Sequence, residues 1–449
     1  MKRTSLQLLR WFYPGLGVKR WLLVAALGAV LFVNGAYRWL LAEGMHFEVD
    51  EFVDNFFDDF MPVGWLMWIF MAGGLALIVV GIRQWLRAIV AALTPERKDN
   101  IVDALFDMRL RRGYRIVAVG GGTGLSTLLR GLKRYTSNLT AVVTVTDDGG
   151  SSGRLQKELG ILPPGDVRNC LVALADDEAM VTDLFRYRFT EGDALSGHSF
   201  GNLFLAAMTG ITGNFDKAIK ESSRVLNIKG RVLPATLSNV RLRAVLRDGT
   251  EIVGETNISK SEQPIARIML DPAAAEPLDE VIAAIREADA VILGPGSLYT
   301  SILPNLLVRR IAKEIAAANC AKMYVCNVMT QPGETDAFTA SQHVRTLLEH
   351  TSEHICDYAI VNKQAPRLLL EAYAEEGQIP VHPDVEAIEA MGVRVVGANV
   401  ISETETVRHD PARLAEVLIR VIDEYVSERA SFVRVATTAP VPPAPAIGR

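Results

Sequence analysis

The hydrophobic positions divide the chain into two parts with different periodicities. Near the N-terminus, two long apolar stretches run from about Trp21 to Ala42 and from about Val63 to Trp85. A helix needs about 20 predominantly apolar residues to cross the hydrocarbon core of a bilayer, so both stretches predict transmembrane helices. From about Tyr114 the pattern changes to short apolar runs that alternate with segments of helical periodicity. This second pattern is typical of an α/β domain.

The charges around the two apolar stretches predict their orientation. Lys and Arg residues precede the first stretch and follow the second, whereas the loop between them carries acidic residues and no Lys or Arg. The positive-inside rule places both ends in the cytoplasm. We therefore expect a multi-pass protein of the cell membrane, with its N-terminus and soluble domain in the cytoplasm. A cleaved signal peptide is the alternative, but no small-residue cleavage site follows the first stretch.

Five runs in the second part are apolar almost throughout, as strands covered on both faces should be. They span residues 115–119, 139–145, 288–293, 322–328 and 357–361. Helical segments lie between them, which predicts a Rossmann-like, doubly wound and mostly parallel sheet. The stretch from Arg231 to Ser261 alternates instead and contains Asp248-Gly249, so it predicts a small β insertion.

These patterns divide the chain into four expected regions. They are a transmembrane hairpin at 1–90, a juxtamembrane amphipathic helix at 91–113, the α/β domain at 114–430, and a disordered tail at 431–449. The tail is rich in Pro and Ala and lacks the apolar periodicity of a packed element.

Composition narrows the range of functions. The 449 residues carry a net charge of −5, so the chain as a whole is not suited to binding nucleic acid. Its four cysteines form no C-x-x-C pair. A disulfide framework is therefore not expected, and the soluble domain fits a reducing compartment.

A glycine-rich loop, Gly120-Gly121-Gly122-Thr123-Gly124, directly follows the first predicted strand and opens a helical segment. Glycines let the backbone approach a phosphate, and a helix N-terminus offers free N–H groups. The loop matches neither the dinucleotide-binding fingerprint nor a Walker loop, which argues against an ordinary NAD or ATP site. A tight structural turn is the alternative, although a turn needs only one or two glycines.

The loop after the second predicted strand is acidic and then rich in glycine and serine. Asp147 and Asp148 could accept hydrogen bonds from ribose hydroxyls, or they could hold Mg²⁺ through water molecules. Ser151 could bind an anion. A solvated acidic turn is the alternative to all three roles.

Three further polar loops follow strands or open helices. Their candidate ligand contacts are Arg168 and Asn169, His198 and Asn202, and Gly296, Ser297 and Tyr299. The sequence around His198 contains no partner for a nucleophile triad, so a hydrogen bond to a ligand or to the protein is favoured over a role as general base. Tyr299 could stack on a base.

Taken in order, these loops resemble the YvcK family of gluconeogenesis factors. The motifs are G-G-G-T-G, T-D-D-G-G-S-S-G-R-L, P-P-G-D-V-R-N, G-H-S-F-G-N, G-P-G-S-L-Y-T-S and, late in the chain, V-R-H-D-P. Each is weak alone, but the ordered set is specific and spans most of residues 114–425. The N-terminal hairpin lies outside the resemblance.

The resemblance implies a Rossmann-like fold related to 2-phospho-L-lactate transferase, which makes a precursor of the deazaflavin cofactor F420. It also implies binding of a UDP-sugar, either UDP-N-acetylglucosamine or UDP-glucose, and a role that links carbon flow to cell-wall synthesis and cell shape. The matching residues would be Gly121 to Gly124 for phosphate, Asp147 and Asp148 for sugar, nucleoside or metal, and Asn202, Gly296 and Tyr299 around them.

The resemblance favours a regulatory protein over an enzyme, so no catalytic residue and no protein metal site is assigned. The alternative is a Mg²⁺-dependent transferase of the phospholactate type. Envelope-synthesis proteins are expected as partners beside the membrane, and a homodimer stays open.

Overall fold

The computed structural model describes residues 18–42, 66–93, 101–176, 178–192, 195–364, 366, 369–403 and 406–438. They belong to two compact units, one within Met1–Arg109 and one within Leu110–Arg449. Of the tail predicted to be disordered at 431–449, residues 431–438 are described, and residues 439–449 lie outside the described residues.

The N-terminal unit contains two long helices, α1 (Val18–Ala42) and α2 (Leu66–Leu93). Within them, Arg20–Leu40 and Met67–Ala88 are long and apolar enough to cross a membrane, and only 11% of each window is buried inside the protein. Large apolar side chains such as Leu23 and Val79 are therefore exposed. Contact of such an apolar surface with the hydrocarbon core of a bilayer is favourable, whereas its contact with water is not.

Glycines bring α1 and α2 into close contact. A Cβ atom at Gly74 would lie 2.6 Å from the backbone nitrogen of Phe32, and one at Gly81 would lie 2.7 Å from the backbone nitrogen of Ala25. A Cβ at Gly28 would lie 2.7 Å from the carbonyl oxygen of Gly74. Small residues commonly allow such an approach where no hydrophobic force drives helix association.

We predict that Gly74→Leu destabilises the packing of α1 against α2, by about 1–3 kcal/mol, because the new side chain would overlap the α1 backbone. All six tryptophans of the chain lie within its first 85 residues. Tryptophan fluorescence during SDS titration in mixed micelles therefore reports on this region alone, and its transition should move to lower SDS.

The adjacent Gly73→Leu is the matched control, because a Cβ at Gly73 would meet no atom within 4 Å. Equal shifts for the two variants would contradict glycine-mediated packing.

The second unit is built on a seven-stranded parallel sheet. Helix α3 (Ile101–Arg111) precedes it. The sheet consists of β1 (Ile116–Gly120), β2 (Leu139–Val143), β3 (Arg231–Pro234), β7 (Ala290–Leu293), β8 (Ala321–Val325), β9 (Tyr358–Asn362) and β10 (Arg394–Ala398), in the order β10-β9-β8-β7-β1-β2-β3. Every residue of β1, β2, β7 and β8 is buried, as the near-continuous apolar runs predicted.

Helices connect these strands and cover the sheet. Between β1 and β3 they are α4 (Gly122–Leu132), α5 (Gly150–Leu159), α6 (Gly165–Leu174), α7 (Glu178–Arg186), α8 (Phe200–Thr212) and α9 (Phe215–Val225). Between residue 271 and β10 they are α11 (Asp279–Glu287), a π-helix (Leu298–Ile302), α12 (Leu303–Leu307), α13 (Ile311–Ala317), α14 (Ala340–His350), α15 (Leu370–Glu375) and α16 (Val385–Glu389). The predicted doubly wound α/β fold is confirmed.

The strand order changes direction at β1. From β1 the chain adds β2 and β3 on one side, and it then returns to add β7, β8, β9 and β10 on the other. The parallel partners of β1 are therefore β2 and β7, with Val119 opposite Leu293 in β7. Such a reversal leaves a crevice at the carboxyl ends of the two central strands.

A three-stranded antiparallel sheet forms the predicted insertion. It contains β4 (Arg241–Leu246), β5 (Glu251–Val253) and β6 (Ile265–Asp271), in the order β5-β4-β6, with the short helix α10 (Glu255–Ile258) beside it. The turn at Asp248-Gly249 joins β4 to β5, as predicted. The expected start at Arg231 was too early, because Arg231–Pro234 pairs with β2 as an edge strand of the main sheet.

The C-terminal elements are the hairpin β11 (Ile401–Glu403) and β12 (Val407–His409), followed by α17 (Pro411–Thr438). Helix α17 extends into the segment expected to be disordered. Its N-terminal half supplies buried residues to the core, among them Leu414, Leu418 and Ile422, and this packing initiates a helix that continues past residue 431.

Candidate functional site

A cleft of about 650 Å³ lies at the carboxyl edge of the sheet, where the strand order reverses. The loops after β1, β7 and β8 form its floor, and residues of 369–378 and 406–409 form its outer wall. The predicted residues that line it are Gly121, Gly122, Thr123, Gly124, Gly296 and Ser297. Two glycine-rich loops, 174 residues apart when counted from Gly120 to Gly294, thus meet in one place.

The loop after β1 places the N-terminus of α4 in the cleft. Gly122 has a φ of +60°, which favours glycine. A Cβ at Gly124 would overlap the carbonyl oxygen of Pro295 in the loop after β7. Gly121, at the N-cap position, has no side chain to cap α4, and the Gly122 N–H bonds to the Asp166 carboxylate. The other N–H groups of the first turn lack an intrahelical acceptor and suit an anion.

Asn305 joins the two loops from below. Its side chain is fully buried and donates to the carbonyl oxygen of Gly120 at 3.0 Å and to that of Ser301 at 2.7 Å. These carbonyls belong to the end of β1 and to the π-helix after β7. The bonds satisfy buried backbone acceptors and fix the separation of the two loops.

The loop after β8 closes the floor of the cleft. Gln331 donates from Nε2 to the hydroxyl of Ser297 at 2.8 Å and accepts at Oε1 from Asn327 at 3.2 Å. Both Gln331 and Asn327 line the cleft. Their amides therefore present oriented polar groups next to the glycine-rich loops.

A second group of predicted residues does not line the cleft, and its side chains form hydrogen bonds with one another and with Ser199. His198 Nδ1 and the Ser151 hydroxyl lie 2.9 Å apart, and Asn202 donates to that hydroxyl at 3.1 Å. Arg168 donates to the hydroxyl of Ser199 at 2.6 Å and to the side chain of Asn169 at 2.9 Å. The network ties the N-termini of α5, α6 and α8 together.

Burial and the nearby Arg154 lower the pKa of His198. The ring is therefore neutral at pH 7. Since Ser151 accepts from Asn202, its hydroxyl proton is available to the Nδ1 of His198. In this structure the His198 ring bonds to protein, which is one of the two hydrogen-bonding roles that the sequence leaves open.

The two adjacent aspartates bond to protein groups, and one of them, Asp148, ties the insertion to the loop after β2. Asp148 Oδ1 accepts from the backbone N–H of Thr256 at 2.9 Å and from its hydroxyl at 2.7 Å. Asp147 Oδ1 accepts from the N–H of Gly149 at 3.0 Å. Neither aspartate lines the cleft.

Tyr299 lies in the core of the unit, with 2% of its surface exposed. Its ring makes edge contacts with Phe338 and His350, at centroid distances of 6.4 and 6.1 Å. The sequence suggested stacking on a base, but in this structure the ring packs against protein.

Two carboxylates that sequence reasoning did not assign to the ligand, Asp166 and Glu255, line the cleft. Burial and the charge of Asp147 raise the pKa of Asp166 to about 6, although the Gly122 N–H stabilises its charged form. Burial, Asp147 and Asp166 also raise the pKa of Glu255. The signal for Asp166 is its place in P-P-G-D-V-R-N, where an acidic residue can also cap the following helix, although Pro164 holds the N-cap position.

Sequence reasoning also missed the outer wall, which includes Tyr373 and Arg408. Arg408 is exposed and makes no ion pair with any residue that the structure describes. The V-R-H-D-P motif pointed to Arg408, although the topology that brings it to the cleft was not evident.

Within the described ranges, no group of three or more His, Cys, Asp or Glu side chains is arranged to hold a metal ion. Asp147 and Asp148 each commit a carboxylate oxygen to an N–H group. The pair is therefore already engaged in the protein.

Glu334 provides a pH test of this region. It is 7% exposed and accepts from the hydroxyls of Ser259 and Thr300, both at 3.1 Å, and burial raises its pKa to about 7. The folded state therefore binds more protons than the unfolded state between about pH 4.5 and 7. Its stability contribution is lost as pH rises through this window.

We predict that Glu334→Gln reduces the fall in thermal midpoint of the soluble unit between pH 5 and pH 8, by the equivalent of about 2 kcal/mol. The exposed Glu353→Gln serves as the control and should leave the pH profile unchanged. A Glu334→Gln profile parallel to that of the parent chain would show that Glu334 stays ionised throughout.

The reversed strand order and the glycine-rich loops at that reversal define a Rossmann-like α/β protein. The chain belongs to the 2-phospho-L-lactate transferase CofD family, whose profile matches residues 116–401.

Proteins named as gluconeogenesis factors are similar to this chain. A putative gluconeogenesis factor from Nostoc sp. is 48% identical over 429 residues, which cover 92% of each chain. The gluconeogenesis factor of Bacillus subtilis is 50% identical over 312 residues, which cover 69% of this chain and 98% of that protein. A crystal structure from Bacillus halodurans, 47% identical, covers 68% of this chain and 99% of its own, with a TM-score of 0.66.

Proposed function

We propose that this protein is a membrane-anchored regulator that binds a UDP-sugar in the cleft and links carbon metabolism to cell-wall synthesis and cell shape. UDP-N-acetylglucosamine is the favoured ligand and UDP-glucose the second. The observation that carries the proposal is the meeting of two glycine-rich loops at the reversal of strand order.

The floor of the cleft has the properties that a diphosphate requires. Gly121, Gly122, Gly124 and Gly296 expose backbone without side chains, and the N-terminus of α4 adds N–H donors. Such a terminus favours negative charge. The volume of about 650 Å³ falls within the range of small-molecule sites.

The wall offers groups for the rest of a nucleotide-sugar. The Arg408 guanidinium can form charge-assisted hydrogen bonds with a phosphate. Tyr373 presents an aromatic ring that a base can contact. Asn327 and Gln331 present amides that can bind sugar hydroxyls or the polar edge of a base.

A regulatory role accords with the names of the relatives and with the chemistry of the cleft. His409 lines it, and burial lowers the pKa of this imidazole to about 4. A group with that pKa is a poor general base near neutral pH. His409 therefore suits binding better than proton transfer.

The two apolar helices would anchor the protein, with both ends of the hairpin in the cytoplasm by the charge rule. A sensor tethered there would lie beside the proteins that build the envelope, which we expect to be its partners.

A transferase of the phospholactate type is the second candidate, because the CofD family gives the chain its fold. Asp166 and Glu255 supply the carboxylates on which a Mg²⁺-dependent reaction would depend. Incubation with guanylyl-phospholactate, the deazaflavin acceptor and Mg²⁺ tests it, and turnover would replace the regulatory proposal.

We predict that the soluble fragment from Arg111 onward binds UDP-N-acetylglucosamine in calorimetry, and that Arg408→Gln weakens binding by about tenfold or more. Loss of one charge-assisted hydrogen bond to phosphate accounts for this magnitude. Arg408 is exposed, so the variant should fold. Absence of heat at millimolar UDP-sugar would refute the proposal.

Gly124→Ala should also weaken binding, because its Cβ would push the β7 loop away through Pro295. Gly210→Ala is the matched control, since a Cβ there would meet nothing within 4 Å. Thermal melts of both variants separate a local effect on the cleft from loss of the fold.

A further inference from the structure

We propose that the soluble unit docks on anionic lipid headgroups through a basic corner at the amino edge of its sheet. We define the basic corner as Arg111, Arg112, Arg134 and Tyr135. This contact is separate from the ligand cleft and from insertion of the hairpin, although it rests on the membrane location proposed above.

Hydrogen bonds join two chain segments into the basic corner. The turn after α3 and the turn after α4 meet where Asn138 donates from its side chain to the carbonyl oxygens of Arg111 at 2.9 Å and Gly113 at 2.7 Å. The N–H of Ser137 donates to the carbonyl of Leu110 at 3.0 Å. The arginines of both turns therefore stand on one rigid piece of backbone.

The charge of the basic corner is available to a partner. Arg111, Arg112 and Arg134 are all exposed, and none of them forms an ion pair within the part of the chain that the structure describes.

The neighbouring Arg115 differs in this respect, because it pairs with Asp289 at 3.0 Å. The carboxylate of Asp423, also close by, accepts from the Tyr114 hydroxyl at 2.6 Å. The unpaired positive charge is therefore concentrated at the point where the chain enters the unit.

An anionic bilayer matches this chemistry and this place. Basic residues next to a membrane anchor are attracted to the negative cytoplasmic leaflet, and the covalent tether raises their local concentration there. Tyr135 is 41% exposed beside the arginines, and tyrosine favours the membrane–water interface. The amino edge can therefore contact headgroups while the cleft, at the carboxyl edge, stays open.

The soluble fragment from Leu110 onward provides the test. The Bacillus halodurans structure, 47% identical, matches 68% of this chain over 99% of its own length, so we expect the unit to fold alone. The fragment contains no tryptophan, and Tyr135→Trp thus places one fluorophore in the basic corner.

With vesicles of equal parts phosphatidylglycerol and phosphatidylcholine, we expect sedimentation of the fragment and a blue shift of the tryptophan emission in the Tyr135→Trp variant. Phosphatidylcholine alone should give neither. Replacing Arg111, Arg112 and Arg134 with Glu should weaken vesicle binding by at least about fivefold per arginine, since each contributes about 1 kcal/mol near such a surface.

The control replaces Lys157, Lys217 and Lys220 with Glu, which changes the net charge equally at positions elsewhere. Equal losses in the two triple variants, or no binding to anionic vesicles, would overturn the proposal. Binding of UDP-N-acetylglucosamine should be the same in both variants, so failure of the docking and failure of the ligand assignment give different results.

Discussion

The close approach of two backbone segments at the reversal of strand order is the constraint on which the site depends. Gly124 and Pro295 touch without room for a side chain, and Asn305 bonds to both segments from the buried side. Both segments continue strands that pair in register, so the rigidity of the sheet is transmitted to the loops. The cleft is therefore preformed by the fold.

The cleft contains both groups that attract an anion and groups that repel one. The α4 terminus and Arg408 attract negative charge, whereas Asp166 and Glu255 lie at the same cleft. Burial and the neighbouring carboxylates raise the pKa values of both groups, so each binds a proton more readily than it would in water. A bound diphosphate would favour protonation further, because like charges within a low-dielectric site repel each other. Ligand affinity and proton uptake should consequently be coupled.

The fold was largely predictable because its central strands are buried on both faces and glycine-rich loops follow several of them. The meeting of Gly121 to Gly124 with Gly296 and Ser297 followed from the rule for parallel sheets. The predictions that were not met concern the local contacts of individual side chains. Sequence patterns cannot tell whether the Asp148 carboxylate faces a ligand or the N–H of Thr256, which lies 108 residues away. They also gave no reason for Tyr299 to turn into the core.

The chain enters the α/β unit beside Ile116, at the amino edge, and the cleft opens beyond Gly120 and Leu293 at the other edge. The length of β1, about 17 Å at 3.3 Å per residue, separates these two places. A small molecule can therefore enter or leave the cleft without any change in the contact between the amino edge and a membrane. Under the proposed anchoring, such a protein could bind and release a metabolite repeatedly while it stays attached to the membrane.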